Sequence, residues 1–351
     1  AAAAGAATIT WIGSWVTVLR RRRRDGRDWA QELDRHDDDL SAARSLAAAA
    51  ERRRHPGVGD VIRAAAAAGE VPAGAEGVAP GLWEQRTLHA AVGVGGRHWT
   101  PAGSCEDGRR GELADEVCTR IDAHAVVSDV GAVVELARGK AVALTGRHRR
   151  SIARSVVTQL AWRSGPSDWR LLVITDEPQR WRWVESLPHL AGLLDGAPTA
   201  ARVVDEVESV IGASASVERG PLPVTVVDQR HDGSLDMETL RRLRAEGAVL
   251  FVGDDAPAWV DEVVHVADSG RLDLQGPSEA TMLDAVAVGI SEQTALGVAR
   301  VLARFVDPET DHGAAVPRAC GFVATHCDPV TGAPFDPRDV ESLRDCLLYT
   351  S

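Results

Sequence analysis

Residues 141–151 read AVALTGRHRRS: an apolar run ends in Gly146, and a basic loop, Arg147-His148-Arg149-Arg150, leads into a helical pattern at Ser151. A strand, a glycine turn and a helix N-terminus in that order can hold an anion. The first backbone N–H groups of a helix are unpaired and its dipole favours negative charge. A complete phosphate cradle asks for more, G-x-x-x-x-G-K-[ST], in which the glycines turn N–H groups inward, the lysine reaches the outer phosphates and the hydroxyl holds magnesium. Counted from Gly146, Ser151 stands where the second glycine belongs, Ile152 where the lysine belongs and Ala153 where the hydroxyl belongs. Lys140, the only lysine of the chain, precedes the strand. The motif is absent. Gly146, Arg147, Arg149, Arg150 and Ser151 are left as candidates for a degenerate anion site, with a solvated basic turn as the alternative.

A second element belongs to the same chemistry. Asp228 ends the apolar run VTVVD, where a magnesium-organising aspartate would lie, but Gln229 follows in place of a water-activating glutamate. With both the phosphate lysine and the general-base carboxylate missing, hydrolysis at this site is not expected. Asp228 and Asp176 also read as strand-end residues that cap following helices. The run Gly93-x-Gly95-Gly96 lacks the full G-x-G-x-x-G and opens no helix, so it is no dinucleotide fingerprint. Cys320, His326 and Cys327 match no standard zinc spacing, and the five cysteines form no C-x-x-C pair, so they read as free thiols and no metal is expected.

The elements that must position these residues follow from periodicity. Four continuous apolar runs, 141–146, 169–176, 221–230 and 248–255, alternate with helical patterns at 151–162, 201–214 and 235–247, and a short strand is expected at 262–268. That alternation predicts an α/β fold with a mostly parallel sheet covered on both faces. A periodic helix at 291–306 closes the region. Upstream, 82–136 carries short strand patterns and Gly/Pro turns and predicts a small β-containing module. Residues 25–54 form a long, largely polar helical pattern, read as a stalk. A short helix at 59–68 and a Gly/Pro/Ala-rich linker at 69–81 follow.

The ends read differently from the middle. Residues 1–19 are uncharged, carry Trp11 and Trp15 one helical turn apart, and are followed by Arg20, Arg21, Arg22, Arg23 and Arg24. A span of about 20 apolar residues crosses a bilayer, with Trp and basic residues collecting at its cytoplasmic border. The segment is read as part of a transmembrane helix with the bulk of the chain cytoplasmic. A signal-peptide remnant or an Ala-rich linker is the alternative. At the other end, Cys346 to Ser351 back-translate as TGT-CTC-TTA-TAC-ACA-TCT, which resembles a transposon-based sequencing adapter, so native sequence is expected to stop near Asp345. The expected organisation is a partial membrane helix (1–19), a basic boundary with stalk helices and linker (20–81), the β module (82–136), the α/β domain (137–306), a connector (307–345) and an adapter-derived tail (346–351). Hydrophobic content of 44% and a formal charge of -12 fit a folded chain and argue against nucleic acid as a partner.

Three stretches carry a resemblance. Leu82-Trp83-Glu84-Gln85-Arg86 is similar to an L-W-E-R-R segment, with His89 replacing an acidic residue shortly downstream. Trp181-Arg182-Trp183-Val184-Glu185-Ser186-Leu187-Pro188-His189 is similar to W-x-W-x-x-x-L-P-H. Residues 289–305, GISEQTALGVARVLARF, are similar to a closing helix. In this order they resemble the N-terminal cytoplasmic region of the FtsK/SpoIIIE-type (EccC-like) coupling ATPase of type VII secretion.

The resemblance implies a degenerate P-loop/RecA-like domain within a motor anchored in the bacterial inner membrane. That motor assembles as a hexamer with other secretion-complex subunits and moves protein substrates through modules that this chain lacks. ATP and magnesium are implied for the full-length protein, and no cofactor for this piece. Trp83, Glu84, Arg86, Trp181, Trp183, Leu187, Pro188 and His189 become structural residues or contacts to a neighbouring module. Two alternatives stay open: a fragment of a DNA translocase of the same superfamily, and a membrane-tethered scaffold with a Rossmann-like domain and no motor.

Overall fold

Seven strands lie side by side in the order β5-β4-β6-β7-β3-β8-β9. They are β3 (Ala141–Gly146), β4 (Trp169–Thr175), β5 (Leu190–Asp195), β6 (Leu222–Asp228), β7 (Ala248–Val252), β8 (Glu262–Val266) and β9 (Leu272–Gln275). All neighbours pair in parallel except β9, which runs antiparallel to β8. The computed structural model describes residues 26–70, 81–100, 112–195, 205, 220–228, 235–276 and 282–307. The chain divides into two units at Phe305/Val306, and every helix and strand named below belongs to the first. The expected membrane segment with Arg20 to Arg24, all but residue 205 of the expected helix at 201–214, and the Cys320/His326/Cys327 loop lie outside the described residues. Among the described residues no helix is long and apolar enough to cross a membrane, and no cluster of His, Cys, Asp or Glu could hold a metal ion.

The apolar runs form the central strands because a parallel strand covered on both faces must be apolar on both sides. On one face, Ala143, Ile174, Val249 and Phe251 pack on Leu240 and Leu243 of α5 (Met237–Glu246). On the other face lies α4 (Arg149–Arg163), with Ile152, Val156, Val157 and Leu160 in the main core. The sequence pattern of α4 predicts a one-sided helix, but every residue from Ser155 to Arg163 is buried. The reason is a second sheet on its outer side.

That sheet is antiparallel, in the order β10-β1-β2, from β1 (Leu88–His98), β2 (Val126–Leu136) and β10 (Met282–Ala287). The expected small β module therefore includes a strand from far downstream, whose mixed sequence MLDAVA hides it. Gly93 belongs to this pairing: a Cβ there would run into the Val286 carbonyl oxygen of β10. Gln159 joins α4 to the sheet. Its amide accepts from the Ala91 N–H at 3.0 Å and donates to the Ala91 carbonyl at 2.8 Å. One buried side chain thus satisfies both backbone groups of a buried strand residue.

The remaining helices are α1 (Gly26–Arg54), α2 (Val58–Glu70), α3 (Glu112–Ala123) and α6 (Glu292–Leu302). The long polar helix expected as a stalk lies against protein along part of its length. Ala48 packs with Val127 and Val130 of β2, and Leu33 packs with Val117 and Ile121 of α3. Cys118 of α3 is in a disulfide, which corrects the free-thiol reading for that residue.

Candidate functional site

The parallel strands end along one edge of the sheet, and strand register decides what meets there. Thr175 and Val252 stand opposite Asp228 on either side, and Gly146 stands opposite Val266. The carboxyl edge of such a sheet is where ligands bind in open α/β folds. In this chain it collects the loop after β3, the turn after β4 and the end of β6.

Gly146 has φ +87°, and a Cβ would run into the Val266 carbonyl oxygen, so its glycine character is already required by the approach to β8. Arg147 and His148 are exposed. Arg149 turns back, donating to the Gly146 carbonyl at 3.1 Å and pairing with Asp254 at 2.7 Å. Ser151 gives its N–H to the His148 carbonyl at 2.9 Å, and its carbonyl accepts from the Ile290 N–H at 3.0 Å.

Arg150 goes the other way, into the sheet edge. Its Nε donates to both oxygens of Asp228, at 3.1 and 2.8 Å, and its two terminal nitrogens donate to Glu177 at 3.3 and 3.1 Å. The Trp181 indole N–H gives Asp228 a further bond of 2.7 Å, and Arg180 pairs with Glu177 on the solvent side. The Asp228 side chain is 2% exposed, a buried charge that needs such partners. Burial works against the Arg150 charge, but Asp228 and Glu177 outweigh it and hold its pKa above the ordinary value. Hydrogen bonding from Arg180, followed by Arg150, holds the Glu177 carboxyl below the usual carboxylate range against the effect of burial.

Arg150 and Arg180 are spent on two carboxylates, so neither is left to meet a phosphate. Both oxygens of Asp228 are occupied by donors, where a magnesium site needs free oxygen ligands. The residues present therefore do not fit magnesium-ATP, and no catalytic step is derived through it.

The two Trp-bearing stretches meet each other inside the molecule. Trp83 (φ +56°) and Gln85 cap the C-terminal end of α4: the Trp83 indole donates to the Ala161 carbonyl at 3.1 Å, and the Trp83 and Gln85 N–H groups donate to the Trp162 and Arg163 carbonyls at 3.0 and 2.9 Å. Carbonyls that a helix end leaves unpaired are satisfied this way. His189 is fully buried, stacks on Trp169 with centroids 4.7 Å apart, meets the edge of Trp83 at 6.3 Å, and bonds the Ser164 carbonyl at 2.7 Å through Nε2. Trp181 and Trp183 stack at 6.1 Å, each 1% exposed, and Leu187 is buried beside them. Pro188 is half-buried and its carbonyl accepts from Arg170, while Glu84 and Arg86 are exposed.

Among the candidate residues, the structure brings Arg150, Asp228 and Trp181 together and separates Arg147 and Arg149 from them. Sequence reading misses Glu177 and Arg180. The available signal is the acidic pair Asp176-Glu177 at the end of a buried strand, of which a strand-end reading marks only the first.

No protein-family model matches the sequence, and no curated protein matches it. Among solved structures, the chain is similar to ATPases 2 and 3 of EssC from Geobacillus thermodenitrificans (12% identity, 76% of this chain and 61% of that one, TM-score 0.42). It is also similar to the cytoplasmic domain of the type VII secretion ATPase EccC of Thermomonospora curvata (11%, 65% and 33%, 0.40). A third similar structure is T. curvata EccC (ATPases 2 and 3) in complex with a signal sequence peptide (14%, 67% and 50%, 0.38). The chain thus spans less than two thirds of the length of each.

Proposed function

We propose that this chain is part of an FtsK/SpoIIIE-type motor of type VII protein secretion and serves it as a catalytically silent, RecA-like regulatory domain. The observation that carries the silent character is the closure of Asp228 by Arg150 and Trp181. The carboxylate that would organise magnesium is consumed by an internal cation, and the loop that would hold phosphate has no lysine. The sequence segments 82–86, 181–189 and 289–305 support the secretion-motor reading. On that reading the N-terminal apolar segment anchors the protein in the inner membrane, and ATP turnover, hexamer assembly and substrate contact belong to modules downstream.

Two measurements test this. Titration of the chain with a fluorescent ATP analogue and magnesium is expected to show no saturable binding in the micromolar range. Tight binding that Asp228→Asn abolishes would overturn the silent site. In the full-length parent, the paired change Arg150→Met with Asp228→Asn removes the closure while avoiding an orphaned charge. A regulatory domain predicts an altered ATP turnover rate, and an unchanged rate and assembly would remove that role. Sequencing the source locus beyond Asp345 checks the parentage. A continuing frame with G-x-x-x-x-G-K-[ST] supports the motor, and a stop codon directly after Ser351 favours the non-enzymatic scaffold.

A further inference from the structure

Residues 288–290 join β10 to α6 and cross the first turn of α4 on the way. Each of the three is fixed by a different neighbour. The Val288 N–H donates to the Val92 carbonyl of β1 at 3.0 Å. A Cβ on Gly289 would stand 2.7 Å from the Ser151 Cβ and 2.9 Å from the Ser151 carbonyl carbon, so only glycine lets the two backbones come this close. The Ile290 N–H donates to the Ser151 carbonyl at 3.0 Å, and the Ile290 carbonyl accepts from Arg154 at 3.3 Å. Ile290 is buried in the main core, and Ser291 then caps α6 by accepting from the Thr294 N–H at 3.1 Å.

The crossing matters because of what stands next to Ser151. Arg150 precedes it in the same turn and reaches Asp228 through Nε at 3.1 and 2.8 Å. The strap presses on one residue of the turn while the neighbouring residue makes the closure. A close-packed interior transmits small displacements, so a shift of the strap is passed to the backbone of Arg150. The other end of the strap belongs to the small sheet, where β1 holds Val288 and β2 carries α1 through Ala48.

We propose, resting on the regulatory reading of the Asp228 closure, that residues 288–290 are a latch. Lying across Ser151, they hold Arg150 on Asp228 and tie that closure to the position of the small antiparallel sheet. Movement of β10 away from α4 slackens the latch and loosens the carboxylate at the sheet edge. A glycine that served packing alone would matter equally whatever stood at positions 150 and 228. A latch couples to them.

The reporter is hydrogen exchange of the Trp181 indole N–H, which is bonded to Asp228 at 2.7 Å and is assigned by its loss in Trp181→Phe. In the full chain, Gly289→Ala should push Ser151 aside and speed this exchange at least ~tenfold beyond what the loss of global stability in urea accounts for. The control is Gly247→Ala, whose Cβ would run into the Pro223 carbonyl oxygen at the far end of β6. There the exchange should change only in step with global stability. One glycine inserted after Val288 lengthens the strap without a clash and should also speed the exchange, which keeps the test open if Gly289→Ala does not fold. In a double-mutant cycle, the effect of Gly289→Ala on the unfolding equilibrium constant should be at least ~threefold smaller once Arg150→Met and Asp228→Asn are present, because the turn can then move without parting the pair. Exchange that merely follows global stability in the strap variants overturns the latch, and so does an undiminished effect in the cycle. ATP turnover in the full-length parent tests the regulatory role separately, so either can fail alone.

Discussion

Arg150 Nε reaches both carboxylate oxygens of Asp228, at 3.1 and 2.8 Å, from the first turn of α4 across the edge of β7 to the end of β6. The pair closes the sheet edge at a point where a magnesium ion would need an open carboxylate. Because Asp228 is buried, removing one partner differs from removing both. Arg150→Met should cost about 3–5 kcal/mol by leaving a buried anion with only the Trp181 N–H, whereas Arg150→Met with Asp228→Asn should recover most of that loss. Urea unfolding at constant slope measures both. A double variant no more stable than the single would mean that the cost of Arg150→Met comes from lost packing and not from the charge.

The stacked pair Trp181 and Trp183 separates hydrogen bonding from packing. The Trp181 indole N–H is bonded to Asp228 at 2.7 Å, while the Trp183 indole N–H is buried and has no partner among the described residues. Trp181→Phe should therefore be more destabilising than Trp183→Phe by about 1–2 kcal/mol, because only the first deletes a made bond to a charge. Trp183→Ala, which empties the site, should cost about 3–5 kcal/mol. Side chains 1% exposed do not touch a neighbouring module directly. If Trp183→Ala left the folding free energy unchanged, this packing would be wrong and a surface contact would again be the better reading.

The central strands were legible because burial on both faces leaves no room for polar residues in runs such as AVALTG and AVLFV. Three strands were not. LAGLLD of β5 lies at an edge and is mostly half-buried, and β9 and β10 carry Asp273 and Asp284 within their runs. Their apolar alternation is too broken to signal a strand. At the site, Asp228 and the arginine loop could be read as separate charges, since a strand end and a Gly turn mark themselves. Their pairing could not, because it depends on β7 lying between β3 and β6, and that order is set by tertiary packing. Gln159 was hidden for the same reason: one more polar residue in a helix that also carries Ser155 and Thr158 means nothing until β1 is placed over it.

Gln159 itself makes a clear prediction. Gln159→Leu keeps the volume but leaves the Ala91 N–H and carbonyl without their partner in the core. The expected loss is about 2–4 kcal/mol, more than an ordinary neutral hydrogen bond contributes, because two buried backbone groups are stranded. Amide exchange at Ala91 should accelerate with it. An Ala91 amide as protected as in the parent would show that water or a backbone shift replaces the glutamine.

His55 connects α1 to α2, with its ring edge-on to His89 at 5.8 Å. Burial, followed by the neighbouring His89, lowers its pKa below the ordinary histidine value. The folded state therefore binds this proton less readily than the unfolded chain does, and its contribution to stability is complete above the unfolded pKa. That contribution falls as pH drops through the window between the unfolded and folded values. Acidifying from about pH 7.5 to about pH 5.5 should cost the parent more stability than His55→Asn, which cannot take up the proton. The check is the difference in urea midpoint between the two pH values for each protein. Equal differences in the parent and in His55→Asn would assign the acid sensitivity to other groups and leave His55 as a packing residue of the turn.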